Sequence, residues 1–237
     1  MIKIDFLGHA AIEADSFYDP AVHTGMQAFR EGMEFLIDQL DGKMLVYAAI
    51  SPNLATGRYV HVRRIACDAF KSIDETAYTL NSTSYGWWQN LLYNFSDADH
   101  VVFEGATPGA NRARLASAIV TGSLITGDDF SINSHGAAAA KELLQNQEVL
   151  DAARSTGIFR PVDHHTNDIP SNIFIKTAPR AIYVIVINYA QQAATFPLKG
   201  ILPAGTPAVK ELFSRETSPP QVTLPAGDAG IYRIPNP

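Results

Sequence analysis

The sequence predicts an α/β chain in which a helix-covered parallel sheet is followed by a small antiparallel β domain. Three observations carry this. Strand-like and helix-like runs alternate from the N-terminus to about residue 157, the pattern of parallel strands joined by covering helices. From about residue 170 the helical periodicity gives way to short β runs separated by proline- and glycine-rich turns. Two aspartates, Asp5 and Asp68, close two of the early strands, where a (β/α) barrel keeps its chemistry.

Each element follows from local pattern. In IKIDFL (2–7), Ile2, Ile4 and Phe6 alternate with Lys3 and Asp5, so a strand puts both charges on one face. The run 24–40 has Met26, Phe29, Met33, Leu36, Ile37 and Leu40 at helical spacing. MLVYAAISP (44–52) is continuously apolar, as a strand covered on both faces would be. Residues 53–60 read as loop and RIACD (64–68) as a short strand. A helix weakened at Gly86 follows over 75–95, then a strand at 99–105, a helix at 111–122 and a strand at 123–129. The strongest helical signal spans 136–157 and closes on Gly157. SNIFIK, AIYVIVINY, QVTLP and GIYRI supply the later β strands. The expected domains are therefore 1–160 and 161–237.

Composition narrows the class. Hydrophobic residues make up 46% and charged residues 18%, a globular rather than a disordered balance. A net charge of −6 with no basic cluster argues against a nucleic-acid partner. No apolar run approaches the roughly 20 residues of a membrane helix, so no membrane partner is expected either. The single cysteine, Cys67, excludes an internal disulfide; strand parity turns it away from Asp68 and predicts a buried, inert thiol.

On spacing alone, Lys3–Asp5 and Arg64–Asp68 read as ion pairs at strand ends. The alternative is two carboxylates meeting from the first and third strands, which is the equipment of glycoside hydrolysis. Lys3 would then keep Asp5 ionised, and Arg64 could bind a sugar hydroxyl. Other features weigh less. Trp87 and Trp88 could stack on a sugar, although adjacent helical residues diverge. Asp163, His164 and His165 are consecutive and read as loop contacts rather than a metal site. Asp128 and Asp129 sit at a strand end and could line the pocket, and a helix N-cap reading for one of them is equally good.

IKIDFLGHAA, SPNLATGRYVHVRRIACDAF, YTLNSTSYGWWQNLLYNFSDADHVVF, RARLASAIVTGSLITGDDFS, FRPVD and the closing LPAGDAGIYRIP together resemble the retaining α-galactosidase clan of glycoside hydrolases, families 27 and 36 and their relatives. The resemblance implies an incomplete (β/α)8 TIM barrel, strands 4–8 of the family barrel, followed by an antiparallel β-sandwich. It places the nucleophile on Asp5 and the general acid/base on Asp68, with Lys3 and Arg64 contacting the sugar. Ser51 falls where the clan decides sugar selectivity. S-D-A-D stands in place of an N-D-P-D motif, with Asp97 and Asp99 in the matching positions.

The function so implied is retaining hydrolysis of terminal α-galactoside-type linkages by double displacement, with a glycoside as partner and no metal or organic cofactor. α-N-Acetylgalactosaminides and β-L-arabinopyranosides fit the same pocket logic. Five predicted strands precede the β domain, so the missing N-terminal half of the barrel is expected in the same longer chain, and little activity from these residues alone. The compartment is left open, because any secretion signal would lie upstream. Two other classes compete. One is a non-catalytic carbohydrate-binding or decayed half-barrel relative, which has no need of both aspartates. The other is a metal-dependent hydrolase, which the histidines do not favour, since none are spaced H-x-H or H-E-x-x-H.

Overall fold

Ile2, Ile4, Val46 and Ala48 share an apolar cluster with Phe29 and Met33, because strands in register against a helix must turn every second residue toward it. These residues organise the first of two compact units, Met1–Ile65 with Gln89–Ser96. The second comprises Ala66–Trp88 with Asp97–Pro237. This computed structural model describes residues 1–69, 72–163 and 169–236.

In the first unit β1 (Ile2–Ile4), β2 (Val46–Ala48) and β3 (Val62–Arg64) pair in parallel, and β4 (Phe95–Asp97) lies next to β3. The helix α1 (Gly25–Leu40) covers the Ile2/Val46 face. A capping box fixes its start: Thr24 accepts from Gln27 N–H while the Gln27 side chain returns to the backbone of Thr24. The sequence predicts a plain loop over 53–60; the structure has one helical turn there, α2 (Asn53–Thr56), tied by the Thr56 hydroxyl donating to Pro52 O at 2.6 Å.

The second unit is built around α4 (Pro108–Thr121), buried along nearly its whole length. Thr107 caps its start, Pro108 occupies its first turn, and Gly122 ends it at φ 98°, where a side chain would be strained. The helix packs against α3 (Ile73–Gly86), α5 (His135–Leu144), α6 (Gln147–Arg154) and a six-stranded sheet. That sheet runs in the order β10 (Thr217–Ser218), β9 (Val209–Glu211), β12 (Ala229–Pro235), β7 (Ala181–Ile187), β6 (Ile173–Ala178), β5 (Arg160–Pro161). Phe174, Tyr183, Ile185 and Ile231 face the helices, while Ile182, Val184, Val186 and Ile234 face a two-stranded ribbon of β8 (Ala194–Pro197) and β11 (Gln221–Leu224). Every residue of β7 is buried because both faces of the strand are covered.

Several expectations are corrected. The 64–68 strand is displaced: β3 ends at Arg64, and a bend at Ala66–Cys67 breaks the period that carried parity to Asp68. The strands expected at 99–105 and 123–129 reduce to one parallel bridge, Val101 with Thr126. The first is interrupted at both ends, by Asp99 at φ 74° and by a turn at Glu104–Gly105. The 136–157 helix is two helices. Asn146 leaves the helical conformation, accepts from Val149 N–H to cap α6, and donates from Nδ2 to Leu212 O at 2.7 Å. Among the described residues no helix is long and apolar enough to cross a membrane.

Candidate active site

The register of the first unit sorts the candidate residues. Lys3 lies opposite Tyr47, and Tyr47 opposite Val62. In parallel strands partners share a face, so Lys3, Tyr47 and Val62 point away from α1, and Arg64, two residues beyond Val62, points with them. The Lys3 ammonium stands 5.3 Å from the centre of the Tyr47 ring, a cation–π distance. Tyr47 was not singled out in the sequence; inside MLVYAAISP it reads as one more buried residue. Arg63 takes the other face, with Nη1 donating to Gln89 Oε1 at 3.3 Å.

Asp5 follows the last residue of β1 and is exposed. Its Oδ1 accepts from Phe6 N–H at 2.8 Å, and Phe6 turns left-handed at φ 56°, so the chain leaves the sheet immediately after the carboxylate. No ion pair joins Lys3 and Asp5 among the described residues, so the pairing that spacing alone predicts for that motif does not form. Ser51 comes three residues after β2, behind Ile50 at φ 45°. A β-branched residue there costs on the order of 1–3 kcal/mol and is held in place by its surroundings. Gly8 N–H donates to Ile50 O at 2.5 Å, and Ala49 N–H to Ile4 O at 2.9 Å. The Ser51 hydroxyl oxygen is buried and has no hydrogen-bond partner among the described residues. Asp5 and Ser51 thus follow the C-terminal ends of adjacent parallel strands, and the buried Arg64 is the last residue of the third.

The other candidates belong to the second unit. Asp68 is exposed on the loop after β3. Its neighbour Ala69 is fully buried, and Ala69 N–H donates to Asp99 Oδ2 at 2.7 Å. Asp99 Oδ1 lies 2.9 Å from His100 Nδ1. The segment carrying Asp99 is anchored by Arg114, a fully buried arginine of α4, whose Nη2 donates to His100 O at 2.9 Å and Ala98 O at 3.4 Å. Asp97 is buried and accepts from the Ser123 hydroxyl at 3.0 Å. Arg114 and Ser123 escaped the sequence reading, since nothing in RARLAS or TGSL distinguishes a buried anchor from a solvated side chain.

The remaining candidates have structural occupations. Asp128 accepts from Phe103 N–H and Glu104 N–H at 2.7 and 2.9 Å, and Asp129 from Ser131 N–H at 2.8 Å. Neither caps a helix, because Ser134 caps α5. Trp87 stacks with the Arg160 guanidinium at 4.9 Å, and Trp88 is 41% exposed. Asp163 accepts from Asn172 N–H and Ile173 N–H at 2.8 and 3.0 Å and from the Ser171 hydroxyl. His164 and His165 lie outside the described residues. Cys67, expected buried, is exposed, with the Tyr78 hydroxyl 3.5 Å from its sulfur. Parity fails for it because the strand has ended three residues earlier.

No protein-family model matches the chain, and no curated protein does. Solved structures do. A GH27 β-L-arabinopyranosidase from Geobacillus stearothermophilus is similar at TM-score 0.72 and 14% identity, over 99% of this chain and 57% of that one. α-Galactosidase I from Mortierella vinacea follows at TM-score 0.64 and 15% identity, over 88% of this chain and 63% of that one. An α-galactosidase from Saccharomyces cerevisiae, solved with raffinose, is similar at TM-score 0.60 and 13% identity, over 89% and 69%. The chain has the fold of this glycosidase clan, a partial barrel plus a sheet domain, and spans 57% of the length of the first of these structures.

Proposed function

We propose that this chain carries the catalytic carboxylates of a retaining glycoside hydrolase that removes terminal α-galactoside-type sugars. The observation that carries the reading is the placement of Asp5, Ser51 and Arg64 at the C-terminal ends of three adjacent parallel strands, in the fold of the α-galactosidase clan. Asp5 is the nucleophile: its carboxylate bonds to the anomeric carbon as the glycosidic C–O bond breaks, and Asp68 gives its proton to the leaving oxygen. In the second step Asp68 takes a proton from water, the water oxygen attacks the same carbon, and the bond to Asp5 breaks, restoring both groups with net retention.

Lys3 and Arg64 share the face of the sheet that turns away from α1, and in this reading they hold sugar hydroxyls. Ser51 and Asp97 complete the sugar contacts, the unpartnered Ser51 hydroxyl choosing among galactose, N-acetylgalactosamine and arabinopyranose. The domain arrangement is a barrel portion over 1–160, equivalent to strands 4–8 of the family barrel, and a β domain over 161–237. The other strand–helix units would come from a longer protein.

The coding sequence upstream of the Met1 codon is read first. The product it encodes, and the 237-residue chain beside it, are then assayed with aryl α-galactoside, α-N-acetylgalactosaminide and β-L-arabinopyranoside, following the anomer released by NMR. Retention, lost in Asp5→Asn, supports the reading. Inversion overturns the double-displacement mechanism, and sugar binding untouched by Asp5→Asn with no turnover in either product favours the non-catalytic relative.

A further inference from the structure

Asp68 is an exposed residue on the loop after β3, and general acid/base catalysis needs its carboxylate fixed in place. One hold on this loop runs through the neighbouring peptide. Ala69 is fully buried, and its N–H is taken by the Asp99 carboxylate at 2.7 Å, across 30 residues of sequence. Asp99 is itself 7% exposed and is held at φ 74°, a conformation that aspartate, asparagine and glycine tolerate and most residues do not. Arg114 closes on both sides of it, donating to the carbonyls of Ala98 and His100. A fully buried guanidinium that donates to two backbone carbonyls fixes the path of the main chain through residues 98–100.

We propose that Asp99 is a positioning residue for Asp68: anchored by Arg114, it clamps the peptide next to the acid/base and so sets where that carboxylate stands. The consequence for catalysis rests on the glycosidase reading; the clamp does not. Loss of the carboxylate removes this hold on the peptide after Asp68, and proton delivery to the leaving oxygen suffers while attack by Asp5 is spared. Asp99 touches no reacting atom in this scheme.

Two substitutions isolate the effect. Asp99→Gly keeps the left-handed backbone and removes the acceptor; Asp99→Asn keeps both. In the 237-residue chain, amide exchange at Ala69 is expected to rise about 10- to 100-fold in Asp99→Gly and to stay within about three-fold of wild type in Asp99→Asn. The Ile185 amide in the sheet core serves as the folding control. In the active product, Asp99→Gly is expected to lose about 10- to 100-fold in kcat/KM on alkyl glycosides and less than about three-fold on a dinitrophenyl glycoside, whose leaving group needs no acid. Asp99→Asn restores the alkyl activity. Unchanged Ala69 exchange in Asp99→Gly overturns the clamp, and equal losses on both substrates overturn its role in proton delivery. If no wild-type product turns over any glycoside, the hydrolase reading falls, and Ala69 exchange alone judges the clamp.

Discussion

Arg112 and Asp228 form a two-pronged ion pair, with Nε donating to Oδ1 at 2.8 Å and Nη2 to Oδ2 at 2.6 Å. It joins the first turns of α4 to the turn that opens β12, so helix and β sheet of the second unit are fastened at one end. Gly109 makes the approach close enough: a β-carbon there would stand 3.1 Å from Gly227 O. The Asp228 side chain is only 7% exposed, and the carboxylate beside Arg112 raises the guanidinium's pKa further.

Removing one partner of such a pair leaves a buried charge with too few contacts. Arg112→Leu is expected to cost about 3 kcal/mol of stability. Urea denaturation should show a lower midpoint with an unchanged slope. A loss under about 1 kcal/mol would mean that water replaces the guanidinium at Asp228.

Lys176 gives stability an alkaline signature. It is 3% exposed on the face of β6 that meets the helices, and its ammonium donates to Ala152 O at 2.6 Å and Ser155 O at 3.1 Å at the end of α6. Burial lowers its pKa from 10.5 to about 8. The native state therefore sheds this proton first; through that interval the unfolded chain binds more protons, and stability rises with pH by up to about 3 kcal/mol. Burial raises Tyr183, Tyr189 and Tyr232 above 10.0, so the unfolded chain ionises these phenols first and stability falls at higher pH. Denaturation midpoints should climb from about pH 8 to a maximum near 10 and then drop, and Lys176→Met should remove only the climb.

Asp5 is exposed and outside the apolar cores, so Asp5→Asn should shift stability by less than about 0.5 kcal/mol. The proposed role as nucleophile predicts that its loss cuts turnover by at least about 10³-fold. Thermal melts beside steady-state rates separate the two effects. A variant that keeps a tenth of wild-type turnover would exclude Asp5 as the nucleophile.

Asn146 both caps α6 and reaches Leu212 O. Asn146→Ala is expected to cost about 2 kcal/mol, whereas Asn146→Ser, which can still cap, should recover about half. Equal losses in the two variants would assign the whole effect to the Leu212 contact.

Cys67 should react with a small aromatic disulfide reagent in the native protein, one equivalent per chain, without waiting for unfolding. Reaction only in denaturant would restore the buried thiol that strand parity predicts.

Local chemistry was legible where a short range of sequence decides the outcome. Alternation in IKI placed Lys3 opposite Ile2 and Ile4, and helical spacing over 24–40 placed α1 within a residue of its observed start. The aromatic and aliphatic run of β7 announced a strand covered on both faces. What failed did so where a residue far along the chain intervenes. The helix predicted over 75–95 overruns into β4 at Phe95, whose N–H donates to His61 O at 3.1 Å, a partner that no local pattern reveals. The helix over 136–157 was broken by an asparagine whose decisive contact is a carbonyl 66 residues away.

The sequence by itself determined β1, β2 and α1, the long strands of the antiparallel sheet, and which acids and bases follow the early strands, because side-chain pattern and spacing are local properties. Tertiary structure alone decided which of those groups are held and by what. Lys3 stands by Tyr47 because parallel register aligns them. Asp99 reaches Ala69, and Arg114 the carbonyls around Asp99, because burial leaves each polar group with only the partner that the fold brings to it.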